Sequence, residues 1–486
     1  MPTDNKLSFE EQLHGRKKIY TSYPYIDDSN IADVLMKAYQ IHAVNSAQIE
    51  YLFNYYKGLQ PILGREKKIR PEINNKVVEN HAYSIVQFLT GYLLEKPIQY
   101  VARKDAVDND SLIGFNDYLE LESKESKDKH IAHDQAICGQ AYRLVLPNKV
   151  YNPADDDQSP FKISTAHPSF AFVVYSSTLE KQPMLGVSMY LEKIGGEDHV
   201  ILQAYSIDWF WEYDYTASTI RDKQPNTFGY IPLIEYPYNE ERIGAFEMVI
   251  PLLNAINKVQ SNRLDGVEQF IQALLVFKNA NINKEQMSEL IEMGAIKITD
   301  TGELKANVEY LTQELNQEQV QKLKDDLLDV IYHIVGMPNR AKSGGGDTGT
   351  AIVYRNGWEE TASKIQDVEL TFKESEKQFL RVALYYTKIQ TRGKNKLKLS
   401  DIEVKFTRKN YENTYQKAQI LDLMLKNNKV APRLAFVSCG LFSDPEGAYA
   451  ESEEYMKEQE AKLPKPQPQP QPVPQPQPQP SEGGDE

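Results

Sequence analysis

Cysteine is nearly missing. The 486 residues hold two, Cys138 and Cys439, far apart in the chain. That excludes a disulfide framework and fits a reducing cytosol. Long hydrophobic runs are missing as well. No stretch of about 18 apolar residues occurs, so no membrane-spanning helix is expected. The polar start Met1-Pro-Thr-Asp-Asn-Lys6 is not expected to open a signal peptide. Positive charge is in short supply: 55 Lys and Arg face 69 Asp and Glu, a formal net charge of −14. A free domain that grips phosphates is normally basic, so this balance argues against a DNA clamp.

What is present is an ordinary globular composition, 41% apolar and 26% charged, with 30 tyrosines. The length suggests about three domain-sized units. Residues 1–28 are polar and expected to be poorly ordered. Helices are expected over Ser29–Ile41 and Asn45–Tyr56, with Ser29 and Asn45 as N-caps. A basic loop with Arg65, Lys67, Lys68 and Arg70 follows. It reads as a solvated face more readily than as a nucleic-acid contact. Asn74–Leu94 reads as an apolar helix, 97–101 as a short strand and 108–136 as helical. His130 and His133 lie at i and i+3 beside Asp134, but no third ligand is near in sequence, so helix surface is the better reading.

From 139 to 237 the pattern turns to strands at 141–146, 171–175, 185–190, 199–205 and 209–213, a meander or small barrel. The aromatic run Trp209, Phe210, Trp211, Tyr213 and Tyr215 has no basic residues interleaved. Core or interface therefore suits it better than a stacking platform for bases. A long helix is expected over 246–277. A small module with strands at 295–298 and 308–311 comes next, and a helix over 316–335 returns, capped by Asn316. Its apolar residues Val320, Leu323, Leu327, Val330, Ile331 and Ile334 share a face. Gly336 and Pro338 end it. A second long helix is expected from about 351 to 389, with Ile352, Ile365, Val368, Phe372, Phe379, Val382 and Tyr386 on or near one side. A strand at 396–408 and helices at 415–426 and 432–437 complete the ordered pattern. Nine prolines between 464 and 480 make a polyproline rod without a core.

Between the two helices lies Asn339-Arg-Ala-Lys-Ser-Gly-Gly-Gly-Asp-Thr-Gly-Thr350. Four glycines in twelve residues leave much backbone entropy to lose, which predicts a mobile loop. Gly344–Thr350 has the outer glycines of a P-loop but lacks its lysine, and a helix precedes it where a strand should. Asp347-Thr348-Gly349 is the tripeptide of an aspartic protease, whose paired carboxylates sit on loops between strands, not helices. Asp347 alone offers too few oxygens for calcium. A solvated linker is the bland reading.

Three stretches together resemble portal proteins of tailed double-stranded DNA phages, of the siphophage type. They are Tyr55-Tyr-Lys-Gly-Leu-Gln-Pro-Ile-Leu-Gly64 with the helix after Asn74, Ile231-Pro-Leu-Ile-Glu-Tyr-Pro-Tyr-Asn-Glu-Glu-Arg242 running into a long helix, and the helix–loop–helix with Tyr354-Arg-Asn-Gly-Trp-Glu359. The likeness spans roughly residues 40–425. It implies an α+β portal fold with long stem helices, a strand-rich wing, a small α/β clip and a helical crown, assembled as a ring. By position these are an N-terminal arm (1–28), wing (29–245), stem helices (246–278 and 314–337), clip (279–313), tunnel loop (338–350), wing helix and strand (351–409), crown (410–463) and a Pro/Gln-rich tail (464–486).

The resemblance further implies a ring of about twelve subunits at the capsid vertex of the virion, assembled in the host cytoplasm. Double-stranded DNA would pass without sequence specificity. The terminase large subunit, major capsid and scaffolding proteins and a head-completion or tail adaptor protein would be partners. No enzyme activity, cofactor, metal or membrane is implied. Asn339, Arg340, Lys342, Ser343, Gly344, Gly345, Gly346, Asp347 and Thr348 would line the tunnel; Arg340 and Lys342 against Asp347 leave it +1 per subunit. Ile296, Ile298, Val308 and Tyr310 would pack the clip. The alternatives are a self-assembling scaffold without DNA passage and an aspartic-type hydrolase.

Overall fold

The two helices expected over residues 29–56 are one. In the computed structural model α1 runs unbroken from Ile31 to Tyr56. Asn45 is no cap. It is buried inside the helix, where its Oδ1 accepts from Lys17 N and its Nδ2 donates to Lys17 O, both at 2.9 Å. A mid-helix asparagine with donor and acceptor both satisfied gives the helix no reason to break. The model describes residues 13–103, 109–153, 155, 157–227, 229–271, 274–278, 307–311, 317–338, 358–407, 414–427, 429–442 and 445–462. It falls into two units, 1–409 and 410–486.

The first unit already uses residues expected to form a disordered arm. Strand β1 (Ile19–Thr21) pairs in parallel with β5 (Ala171–Ser176), and the buried Arg16 guanidinium pairs with Glu247. Helix α2 is shorter than expected, His81–Leu93, with Asn80 Oδ1 accepting from Tyr83 N. The region expected to be helical near 108–136 is two helices, α3 (Asn109–Leu121) and α4 (Lys124–Cys138), separated by Ser123 at φ 50°. Strand β2 (Gln99–Ala102) pairs with β13 (Ile402–Lys405) from the far end of the unit.

Two sheets occupy the middle. β3 (Gln140–Pro147) sits between β4 (Phe161–Ala166) and β10 (Leu233–Pro237), all antiparallel. The other sheet is a meander: β5, β6 (Pro183–Ile194), β7 (Glu197–Tyr205), β8 (Trp209–Asp214) and β9 (Thr219–Pro225), with β1 added beside β5. Of the aromatic run, Trp211 and Tyr213 are core, in one cluster with α1 residues such as Val34 and Leu35, while Trp209, Phe210 and Tyr215 are half-buried. Outer strand β9 is exposed and charged, and Arg221 on it pairs with Glu192 and Glu212. Such charges discourage edge pairing.

The long helix expected over 246–277 ends sooner. α5 covers Ile250–Ile271, and Leu274–Lys278 forms β11 instead, antiparallel to β12 (Asn307–Leu311). The Leu-Leu-Val-Phe-Lys run has the bulky and β-branched side chains that favour a strand once a partner is present. Helix α6 (Gln317–Val335) packs back along α5, and helix α7 (Trp358–Gln390) crosses the core. At 33 residues α7 is about 50 Å long. Ile365, Val368, Phe372, Phe379, Val382 and Tyr386 on α7 are buried, as their spacing predicts.

In the second unit, α8 (Thr414–Leu425), α9 (Pro432–Cys439) and α10 (Pro445–Lys462) follow in turn. Phe436 stacks on Phe442 and meets the edge of Tyr449, while Lys417 Nζ donates to Gly440 O at 3.0 Å. Helix α10 has no strong apolar stripe, and the sequence reading missed it.

Candidate functional site: the frame around the glycine-rich loop

The segment between α6 and α7 is where the sequence places its functional residues. Asn339, Arg340, Lys342, Ser343, Gly344, Gly345, Gly346, Asp347 and Thr348 lie outside the described residues, as do Ile296, Ile298, Ile352 and the cap candidate Asn316. Val308 and Tyr310 fall on β12, in register with Phe277 and Leu275. The frame that holds both ends of the loop is described.

Helix α6 ends in a paired turn. Gly336 takes φ +72°, Gly336 N donates to His333 O at 3.3 Å, and Met337 N donates to Tyr332 O at 2.8 Å. These two bonds satisfy carbonyls that every helix C-terminus leaves open. The first turns of α7 add side chains to the same end. Buried Thr361 donates Oγ1 to Gly336 O at 2.6 Å, and Lys364 Nζ donates to the carbonyls of His333 (3.2 Å) and Ile334. A cation there also complements the negative end of the helix. Partial desolvation lowers the Lys364 ammonium, with Glu360 opposing. Trp358, where α7 starts, lies near Phe88 and Tyr92 of α2 at 5.9 and 6.0 Å between ring centres. Both ends of the loop are thus fastened to one body.

Helix α5 is stitched to the chain before α2 by a polar ladder. Asn257, Ser261 and Asp265 lie four residues apart on one face. They accept from Glu79 N, Val77 N and Asn75 N, at 2.8, 2.9 and 2.8 Å. Four helical residues rise about 6.0 Å, and two residues of extended chain about 6.6 Å, so the spacings nearly match. That is why 74–80 is not helical: its N–H groups face α5. Asp265 also pairs with Arg65 (3.0 Å) and Lys67 (3.1 Å). Burial pushes its carboxyl up, but these hydrogen bonds and cations outweigh it and hold the pKa low. Half of the basic loop is therefore tied down structurally, while Lys68 is exposed. Glu79 joins the next pair of elements, accepting from Lys324 of α6 (2.7 Å) and lying 2.9 Å from His81. Arg263 of α5 reaches Gln317 and Gln321 of α6.

Deeper in, a buried ionic cluster fixes α7 to α4 and β3. Arg143 Nη1 lies 2.7 Å from Glu376 Oε1, and its Nη2 pairs with Asp128. Lys124 Nζ lies 2.7 Å from Asp128 and 3.1 Å from Glu376. Tyr100 and Tyr236 donate their hydroxyls to Glu376 at 2.6 and 2.8 Å. Two cations and two carboxylates cancel. Desolvation would raise Glu376, yet Lys124 and Arg143 hold it down at about 2. The cluster links the helix that leaves the loop to the sheet, and only its Lys124–Asp128 pair has a local spacing, i and i+4 on one helix.

The remaining candidates are structural. His133 Nε2 lies 2.9 Å from Tyr56 OH, and His130 is an exposed helix-surface residue near Thr165. Burial pushes the Cys138 thiol up. Among the described residues no group of three potential metal ligands occurs, and no helix is long and apolar enough to cross a membrane.

One feature of the frame is unfinished. On α6, Ile331 and Val335 are buried, but Leu323, Val330 and Ile334 of the same expected face are 50%, 47% and 38% exposed. Leu264 and Val267 on α5 are exposed too.

Over residues 36–465 the chain matches the family model described as phage portal protein, SPP1 Gp6-like. The portal protein of Bacillus phage SPP1 is 20% identical over 410 residues, covering 79% of this chain and 77% of the relative. Two solved structures are similar at 10% identity. They are a chain from the neck of an empty gene transfer agent particle (TM-score 0.43, 74% of this chain and 90% of that one) and one from the virion of a native gene transfer agent particle (0.42, 74% and 89%).

Proposed function

The chain belongs to the SPP1 Gp6-like family of phage portal proteins, and from that premise we propose how its parts serve a portal. A portal is the structural channel at the capsid vertex through which double-stranded DNA enters and leaves the head. Helices α5 and α6, within 246–278 and 314–337, are the stem. Residues 279–313 are the clip, with β11 and β12 at its base, and Ile296, Ile298, Val308 and Tyr310 are its packing residues. Residues 338–350 are the tunnel loop, with Arg340 and Lys342 as its phosphate contacts. The wing comprises 29–245 and 351–409. The crown is 410–463, which agrees with the unit boundary after residue 409. The ring has about twelve subunits and is assembled in the host cytoplasm. It docks the terminase large subunit, major capsid and scaffolding proteins and a head-completion or tail adaptor protein.

The observation that carries the assembly is the exposed apolar stripe on the stem. Leu264, Val267, Leu323, Val330 and Ile334 are 38–50% exposed in one chain, and a ring neighbour would cover what is left open. Electron microscopy of the purified protein tests this: end-on views should show closed rings. A monodisperse 55.7 kDa monomer at micromolar concentration would overturn it.

A further inference from the structure

Charge is not spread evenly over this acidic chain. Between Lys388 and Lys409 eight Lys and Arg residues face two acids, Asp401 and Glu403, a net of +6 in a protein of −14. The core of that stretch, 394–400, alternates in burial. Lys394, Lys396, Lys398 and Ser400 are exposed, whereas Asn395, Leu397 and Leu399 are half-buried. Asn395 Nδ2 donates to Ser111 O at 3.2 Å, and Leu397 and Leu399 pack against the core, so the inward side is anchored. The alternation puts three lysines along one outward line. Among the described residues none of the three forms an ion pair.

Beside this line is a cavity of about 480 Å³, lined by Arg103, Lys373 and Lys377 together with Glu403, Leu399 and Ser400. Arg103 is positioned there by its backbone N–H, which donates to Asp401 O at 2.9 Å. Lys373 is partly neutralised by Glu369 at 2.6 Å and lies over the Phe406 ring. Arg103 and Lys377 are exposed. Line and cavity together form one cationic surface far in sequence from the glycine-rich loop.

We propose that the surface formed by Lys394, Lys396, Lys398 and the adjoining Arg103–Lys377 cavity binds the phosphate backbone of duplex DNA without reading sequence. The choice of DNA rests on the portal reading above. The spacing suits a phosphate strand: alternate residues of extended chain lie about 6.6 Å apart, close to the axial rise of two phosphates on one DNA strand, which repeat every ~3.4 Å of helix axis. The composition disfavours a protein partner. Interface cores are depleted in lysine and enriched in aromatic residues, and the one aromatic residue described in this stretch, Phe406, is not exposed. Lysine ammonium groups act on phosphate as point charges and carry no base information.

The test uses the full chain in a Gly344–Gly349 deletion background, so that loop contacts do not contribute. A fluorescein-labelled 30-base-pair duplex of mixed sequence is titrated between 50 and 200 mM salt. The parent should bind, and K394A/K396A/K398A should weaken binding about tenfold or more at the lower salt. It should also flatten the plot of log K against log salt by about 2–3, since each neutralised phosphate contributes about 0.9. The three Lys→Arg changes should keep affinity and slope, and Arg103→Ala with Lys377→Ala should flatten it further. Failure of the parent to bind duplex, or unchanged affinity and slope in the alanine variant, overturns the proposal. So does a loss confined to a polyglutamate probe. Rings counted by microscopy in the same samples separate the two readings. Rings without duplex binding defeat this surface alone, and their absence defeats the portal assembly.

Discussion

A neutral histidine and an ionised glutamate are both buried in this chain, and each sets a different liability. His42 is fully buried, its Nε2 2.9 Å from Ser169 O and its ring against Phe172. Desolvation lowers its pKa from 6.5 to about 4, against a smaller opposite pull from the Ser169 carbonyl. The folded pKa is the depressed one, so the stability is present above pH 6.5 and is lost as pH falls from there towards 4. About 2.5 units at 1.36 kcal/mol each give a loss of about 3 kcal/mol. Urea unfolding at pH 7 and pH 4.5 should show most of that fall, about 2 kcal/mol, for the native chain, and a smaller one for His42→Gln, which keeps a donor but cannot titrate. Equal falls would refute it. Glu376 is the opposite case, a charge kept because Lys124 and Arg143 surround it. Glu376→Gln leaves the cluster a net +1 without water and should cost about 3–5 kcal/mol. Replacing all four charged residues with apolar ones of similar volume should cost less, because no charge is stranded. A thermal melt in which Glu376→Gln loses under 1 kcal/mol would contradict this account.

Among the elements, the end of α6 offers the sharpest test. A side chain at Gly336 would have to adopt a left-handed backbone, and its Cβ would sit 2.6 Å from Lys364 Cδ. Lys364 could move, but only by leaving the His333 and Ile334 carbonyls. Gly336→Ala should therefore destabilise the chain by about 1–3 kcal/mol, from left-handed strain plus lost capping. It should also raise the rate of limited proteolysis between 338 and 358. A variant with the native melting temperature and cleavage rate would show that the cap does not hold the loop's base. The helix stop at Gly336 and the buried face of α7 were legible in the sequence because both depend on local spacing. The early end of α5 and the extended path of 74–80 were not. They depend on partners such as β12 for β11, and on the Asn257–Ser261–Asp265 ladder reaching a segment 178 to 190 positions away. Asn45 misled for the same reason, since its partner Lys17 lies in a segment that reads as an arm. The stripe Leu323, Val330 and Ile334 was legible as apolar but is not buried in one chain. Of the ionic cluster only the Lys124–Asp128 pair, at i and i+4 on one helix, has a local spacing; Arg143 lies on the next strand and Glu376 lies 233 positions beyond it.

At the scale of the whole molecule, the division of labour between frame and loop decides what a mutation can do. The capping bonds, the polar ladder and the ionic cluster all lie outside residues 339–350, and the loop's own composition offers glycines, small polar groups and the charged Arg340, Lys342 and Asp347, with no apolar side chain larger than Ala341. In the proposed reading, assembly therefore rests on the stem and wing, and contact with DNA inside the tunnel rests on the loop. On that same reading each loop contact to a passing duplex is weak. An exposed ion pair is worth roughly 0–1 kcal/mol, so a ring of about a dozen loops would steady DNA while each releases it as it advances. Deleting Gly344–Gly349 should leave ring formation unchanged and reduce the DNA packaged or retained per particle. Arg340→Ala with Lys342→Ala should do so more mildly, because the backbone reach remains and only the phosphate contacts go. The measurement is DNA content per particle beside ring integrity by microscopy. Broken rings would place the loop in the assembly interface. Intact rings with normal packaging and retention would remove it from DNA handling and leave a solvated connection between two helices.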